Sequence, residues 1–264
     1  MQTTLLCKLF ILPKLRREPA KWEELKHTME AYNSLLERTK YQQAELLIEP
    51  GPFTPDERVR KKFKPDNSFR EFYGDTTVFD LSAEAKAQIG ALQEELYKRS
   101  PECFSAKLAP GTMHMTLHDL SASEHLSEVA AEMFANEVGL LRIIQERPIP
   151  AQRIRMKSNF IINCVNTSLV LALLPADEGE WQKLQASYDS MEAVRGCPYP
   201  LTPHITLAYF NSQGFSAEAS ERLKATVYTL NQKTSTLSLD TKMLYYQKFT
   251  DMNSYYSVFP IVRQ

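Results

Sequence analysis

The sequence predicts an α+β fold, in which antiparallel strands and helices share one chain. Three observations predict it. Short β-branched and aromatic runs alternate with longer stretches of helical periodicity. Helices and hairpins join the strands, with no glycine-rich phosphate loop between them. An order of helix, proline-containing loop and strand occurs in both halves of the chain.

The elements follow in order. A helix is predicted over 19–48. Pro19 suits its first turn, and Trp22, Leu25, Met29, Tyr32 and Leu36 form an apolar stripe for packing on the rest of the protein or on a second copy. Pro50, Gly51, Pro52 and Pro55 end it. The basic run from Arg58 to Lys64 precedes the turn signal Pro65-Asp66-Asn67. Such a run commonly forms a solvated face, with phosphate attraction as the alternative. A strand is predicted over 76–81. Ser82 then caps a helix over 83–98, whose Ile89, Leu92 and Leu96 share one side. A loop over 100–111 leads to a strand over 112–120 and a helix over 123–145. Strands follow over 154–156, 160–164 and 168–173, with Asn166-Thr167 as a hairpin turn. A helix over 177–191, a proline-containing loop over 196–200, a strand over 205–210 and a helix over 216–230 come next. Strands over 235–246 and 255–262 complete the prediction.

Composition narrows the function classes. The 264 residues are 43% apolar and 24% charged, and the net charge is -1. A near-neutral chain has no global positive field for long DNA, although a short RNA end or small phosphate ester needs only a local groove. Cys7, Cys103, Cys164 and Cys197 are irregularly spaced, with no zinc or redox pairing pattern, which suggests single thiols in a reducing compartment. No run approaches the length of a membrane span. Near the start, the apolar residues precede the charges Lys14, Arg16 and Arg17, the reverse of a signal peptide. A cytoplasmic location is expected.

Two of the five histidines sit in matching contexts. His114-Met115-Thr116-Leu117 and His204-Ile205-Thr206-Leu207 each follow a proline-containing loop, 90 positions apart (204 − 114). In a strand, residues i and i+2 share a face, so each histidine points with its threonine. Two imidazoles, which titrate near neutral pH, can act as base and acid. Threonine hydroxyls can hold phosphate oxygens without adding charge. Together these are the parts needed to cleave a phosphodiester without a metal.

The paired motifs resemble the signature of the two-histidine (2H) phosphoesterase superfamily, which includes RNA-ligase-like and cyclic-nucleotide phosphodiesterase-like proteins. The resemblance spans about residues 70–262 and includes Val78-Phe79-Asp80-Leu81, both motifs and Met243-Leu244-Tyr245-Tyr246. Lys62-Phe63 and Phe72-Tyr73-Gly74-Asp75-Thr76 look like a bacterial and fungal branch with no settled substrate. The resemblance implies a bilobal fold with two antiparallel sheets related by a pseudo-twofold, one motif in each, and a central groove. It also implies His114 and His204 as catalysts, Thr116 and Thr206 as substrate-binding residues, and no cofactor or metal. Residues 1–65 are then a helical N-terminal extension and 66–264 the two-lobed domain. The expected activity is metal-independent cleavage of a cyclic phosphate or 2′,5′-type phosphodiester in a small nucleotide or RNA end. The alternative is a non-catalytic module that binds such a ligand.

His118, four positions after His114, either marks the end of the strand or, if the strand continues, shares its face about 13 Å away on the groove rim. A helical zinc pair of His114 and His118 would place glutamate where Met115 stands. Asp119 and His125 fit no pattern. One of Tyr245 and Tyr246 can stack on a base while the other enters the core. Arg153, Arg155 and Lys157 offer either phosphate contacts or a solvated face.

Overall fold

The computed structural model describes residues 30–45, 51–232 and 235–262. The α+β prediction holds: helices flank a curled antiparallel sheet. The elements are α1 (Tyr32–Glu45), α2 (Arg58–Lys62), β1 (Tyr73–Asp80), α3 (Ala83–Arg99), β2 (His114–Ser123), α4 (Leu126–Glu146), β3 (Arg153–Cys164), β4 (Ser168–Pro175), α5 (Glu178–Glu192), β5 (His204–Tyr209), α6 (Ala217–Leu230), β6 (Thr236–Asp240), β7 (Leu244–Asp251) and β8 (Ser254–Pro260). Trp22, Leu25 and Met29 of the predicted apolar stripe lie outside the described residues, as do Cys7 and His27.

Local chemistry explains most boundaries. Ser82, Asp177 and Ser216 each accept a hydrogen bond from the backbone N–H three residues on, which starts α3, α5 and α6. The β3–β4 turn spans residues 165–167 and contains the predicted Asn166-Thr167. Val165 and Asn166 are both at positive φ (46° and 57°), and the Thr167 N–H donates back to the Cys164 carbonyl at 2.9 Å. The predicted 154–156 and 160–164 strands merge into β3 across a register shift between Ser158 and Ile161. The predicted 235–246 strand divides instead. The Asp240 carboxylate accepts from the Lys242 N–H, and a turn over Thr241–Met243 separates β6 from β7.

Strand order is β6-β3-β4-β5-β2-β1-β7-β8, so the two expected sheets are halves of one eight-stranded sheet. They join at a single residue pair, Met115 on β2 and Ile205 on β5. Both side chains are fully buried, and burying each contributes roughly 1.5–3 kcal/mol. The helices cross this seam. α3 reaches β5 and α5 reaches β2, so each half packs on the other's central strand. One core cluster accordingly runs from Phe79 and Leu117 to Leu207 and Trp181. Leu35 of α1 and Phe53 belong to the same cluster. Among the described residues, no helix is long and apolar enough to cross a membrane.

Candidate active site

The seam places the two motifs side by side. Met115 opposes Ile205 and both point into the core, so their neighbours point to the opposite face. Extending the register by one residue in each direction sets His114 across from Thr206 and Thr116 across from His204. All four predicted residues therefore share one face around the local twofold. Each is half-buried. Neither threonine hydroxyl is committed to a hydrogen bond within the described residues.

Each imidazole is held in the same way. His114 Nδ1 lies 2.8 Å from the Thr112 carbonyl and His204 Nδ1 lies 2.7 Å from the Thr202 carbonyl. A carbonyl only accepts, so each Nδ1 carries the proton and each Nε2 is left for chemistry. The repeat is thus longer than His-x-Thr-Leu. Thr112-Met113-His114 matches Thr202-Pro203-His204, and a threonine two residues before each histidine was the overlooked signal.

Different elements brace the two loops. In the first half, Asn253 Oδ1 accepts from the Ala109 N–H (2.7 Å) and the Thr112 hydroxyl (3.4 Å). In the second, Arg38 of α1 donates to Thr202 Oγ1 (2.6 Å) and to the Leu201 carbonyl (2.9 Å), while Glu30 pairs with its guanidinium. Sequence reasoning found neither Asn253 nor Arg38, because both act from far along the chain.

Burial dominates the electrostatics of His114 and pushes its imidazole down to about 4. Its Thr112 hydrogen bond and the nearby Asp80 oppose that shift, while His204 adds to it. Asp80 pairs with Lys86 at 2.7 Å, and the Tyr255 ring meets His114 edge-on at 4.9 Å. A cavity of about 200 Å³ beside His114 is lined by Asp80, Lys86, Gln247, Tyr255 and Ser257.

His118 does not reach the groove rim. A register shift between Thr77 and Val78 inserts a bulge in β2, so Thr116 pairs with Val78 but His118 pairs with Thr77. The bulge turns His118 to the opposite face, where it is buried beside α5. The structure also separates the two tyrosines. Tyr246 is buried and donates to Asp75 at 2.9 Å, whereas Tyr245 is half-exposed and opposes Val78 on the face of Thr116. Arg153 and Arg155 pair with Asp240, Asp177 and Glu180, and Lys157 caps the Ala176 carbonyl, so this row is a solvated face. Asp119 accepts from the Tyr199 hydroxyl, and His125 is exposed at the start of α4.

No family model matches the chain, and no curated protein matches its sequence. Solved structures do. A conserved protein of unknown function from Agrobacterium tumefaciens superposes with a TM-score of 0.61 at 14% identity, covering 79% of this chain and 94% of its own. Escherichia coli LigT in apo form is similar at a TM-score of 0.38 and 18% identity, over 72% of this chain and 96% of its own. A structure described as a phosphoesterase is similar at 0.39 and 16% identity, over 74% and 100%. The chain thus shares the fold of the Agrobacterium tumefaciens protein, with the paired motifs at the seam of that fold.

Proposed function

We propose that the chain is a 2H-type phosphoesterase that hydrolyses a cyclic phosphate or 2′,5′-type phosphodiester without a metal. The observation that carries this reading is the pseudo-symmetric quartet of His114, Thr206, Thr116 and His204 on one face of the seam. His114 is the general base. Its lowered pKa leaves it neutral near neutral pH, and its Nδ1–H is committed to Thr112, so Nε2 offers a lone pair. Nε2 takes a proton from water, and the oxygen attacks phosphorus. His204 acts as the imidazolium: its Nδ1–H stays on the Thr202 carbonyl while Nε2 gives its proton to the departing ester oxygen. Thr116 and Thr206 donate hydrogen bonds to the non-bridging oxygens, where charge builds in the transition state. Base and acid each contribute about 10²–10⁴ in rate. The half-exposed Tyr245, on the same face, is placed to stack on a base or sugar.

The test is hydrolysis of 2′,3′- and 3′,5′-cyclic nucleotides, 2′,5′-linked dinucleotides and ADP-ribose cyclic phosphate in excess EDTA. EDTA-resistant turnover that disappears in both His114→Ala and His204→Ala supports the proposal. Tight binding without turnover would replace it with the non-catalytic binding module.

A further inference from the structure

A second cluster lies on the opposite face of β2 from the histidine quartet. His118 is 1% exposed and sits between two groups. Its Nε2 is 2.8 Å from Glu192 Oε1 at the end of α5, and its Nδ1 is 4.0 Å from Cys197 Sγ on the loop that leads to His204. Glu192 Oε1 also accepts the Cys197 backbone N–H at 2.9 Å, which holds the loop against the carboxylate. The Tyr188 ring packs on His118 with centroids 5.1 Å apart. Cys197 is partly exposed, so reagents can reach it.

We propose that Cys197, His118 and Glu192 form a second reactive centre, a thiol–imidazole–carboxylate relay in which a hydroperoxide oxidises Cys197. The order of contacts is that of an activated nucleophile: sulfur against one ring nitrogen at 4.0 Å, with the Asp119 carbonyl accepting the thiol hydrogen at 3.6 Å, and an orienting carboxylate on the other nitrogen. The 4.0 Å step is long, as such contacts are before a reagent binds. In the reactive form the one proton shared by Cys197 and His118 rests on His118 Nδ1, leaving a thiolate that faces an imidazolium. Sulfur attacks the terminal peroxide oxygen, an S–O bond forms and the O–O bond breaks. The sulfur is oxidised to a sulfenic acid and the peroxide is reduced. The departing alkoxide takes the proton back from His118 and leaves as an alcohol.

The electrostatics agree with this geometry. Burial disfavours a charged ring, but the Cys197 and Glu192 contacts outweigh it and raise the His118 pKa to about 9. The ring can therefore keep the proton that sulfur gives up. Cys103 is the contrast: burial pushes its thiol up to about 12, and no imidazole adjoins it. The groups facing His118 are Glu192, Cys197 and Tyr188, with Asp189 acting on Glu192.

A single metal ion is the rival reading, because His118, Glu192 and Cys197 each offer a ligand atom within 4.8 Å of the others. The contacts favour the relay. Glu192 and Cys197 engage different ring nitrogens, and an ion can bind only one.

The experiment is dimedone trapping on the full chain after hydrogen peroxide, with peptide mapping to compare Cys197 with the partly exposed Cys164. Cys197 should label about tenfold faster near neutral pH, and both His118→Asn and Glu192→Gln should slow it severalfold. If His118→Asn does not fold, Glu192→Gln carries the test. Labelling no faster than Cys164, or unchanged in a folded Glu192→Gln protein, overturns the proposal. So does a thiolate charge-transfer band on adding cobalt(II), which would make the cluster a metal site. None of these readouts depends on phosphoester turnover.

Discussion

Arg38 grips Thr202 from α1, at 2.6 Å from its hydroxyl, while the carbonyl of the same threonine holds His204 Nδ1 at 2.7 Å. A helix more than 160 residues away in sequence therefore sets the ring of one candidate catalyst. Arg38→Ala frees the 201–202 segment, and small misplacements of a reacting group are costly. Phosphoester turnover should fall about tenfold or more, mainly in kcat. Glu30→Gln, which leaves the Arg38–Thr202 bond in place, should cost less. Steady-state kinetics and the His204 ring resonances by NMR check both.

The threonines should act through the transition state. Thr116→Val and Thr206→Val keep the β-branched shape but remove a donor. Each should lower kcat about 10²–10³-fold, the usual cost of losing one oxyanion donor, with a smaller change in KM. Equal effects would match the local twofold, and a comparison of the two variants on one substrate measures them.

The acid side of the pH profile should report His114. A base works only when deprotonated, and burial holds this imidazole down to about 4. Activity should therefore stay level as pH falls from neutral toward 5, then drop through about 4. The profile of kcat/KM, which reports the free enzyme, is the measurement.

Gly74 marks a close approach within β1. A Cβ there would lie 2.2 Å from the Ser121 carbonyl oxygen and 2.4 Å from the Phe249 ring. Gly74→Ala must push β1 away from β2 and β7, so destabilisation of about 1–3 kcal/mol is expected, as for other overpacked sites. Urea unfolding measures it, and kinetics on the folded fraction should change little.

What was legible from the sequence was local. The His-x-Thr-Leu repeats could be read because a strand places i and i+2 on one face whatever its neighbours do. The Ser82 cap of α3 also depends only on adjacent backbone. His118 shows where that reading stops. Its side of β2 depends on a bulge opposite Thr77 and Val78, which is a property of pairing between strands and leaves no mark in the His114–His118 spacing.

The amino-acid order by itself determined the α+β class, nearly every element and the four residues of the candidate site. Tertiary structure alone decided that two halves form one sheet through Met115 and Ile205, and that Asn253 and Arg38 brace the two histidine loops. It also gathered His118, Glu192 and Cys197 into one cluster. The physical reason is range. Side-chain periodicity and capping act over a few residues, whereas register and bracing contacts join groups as distant as Gly74 and Phe249, 175 residues apart (249 − 74), whose meeting depends on the packing of the whole chain.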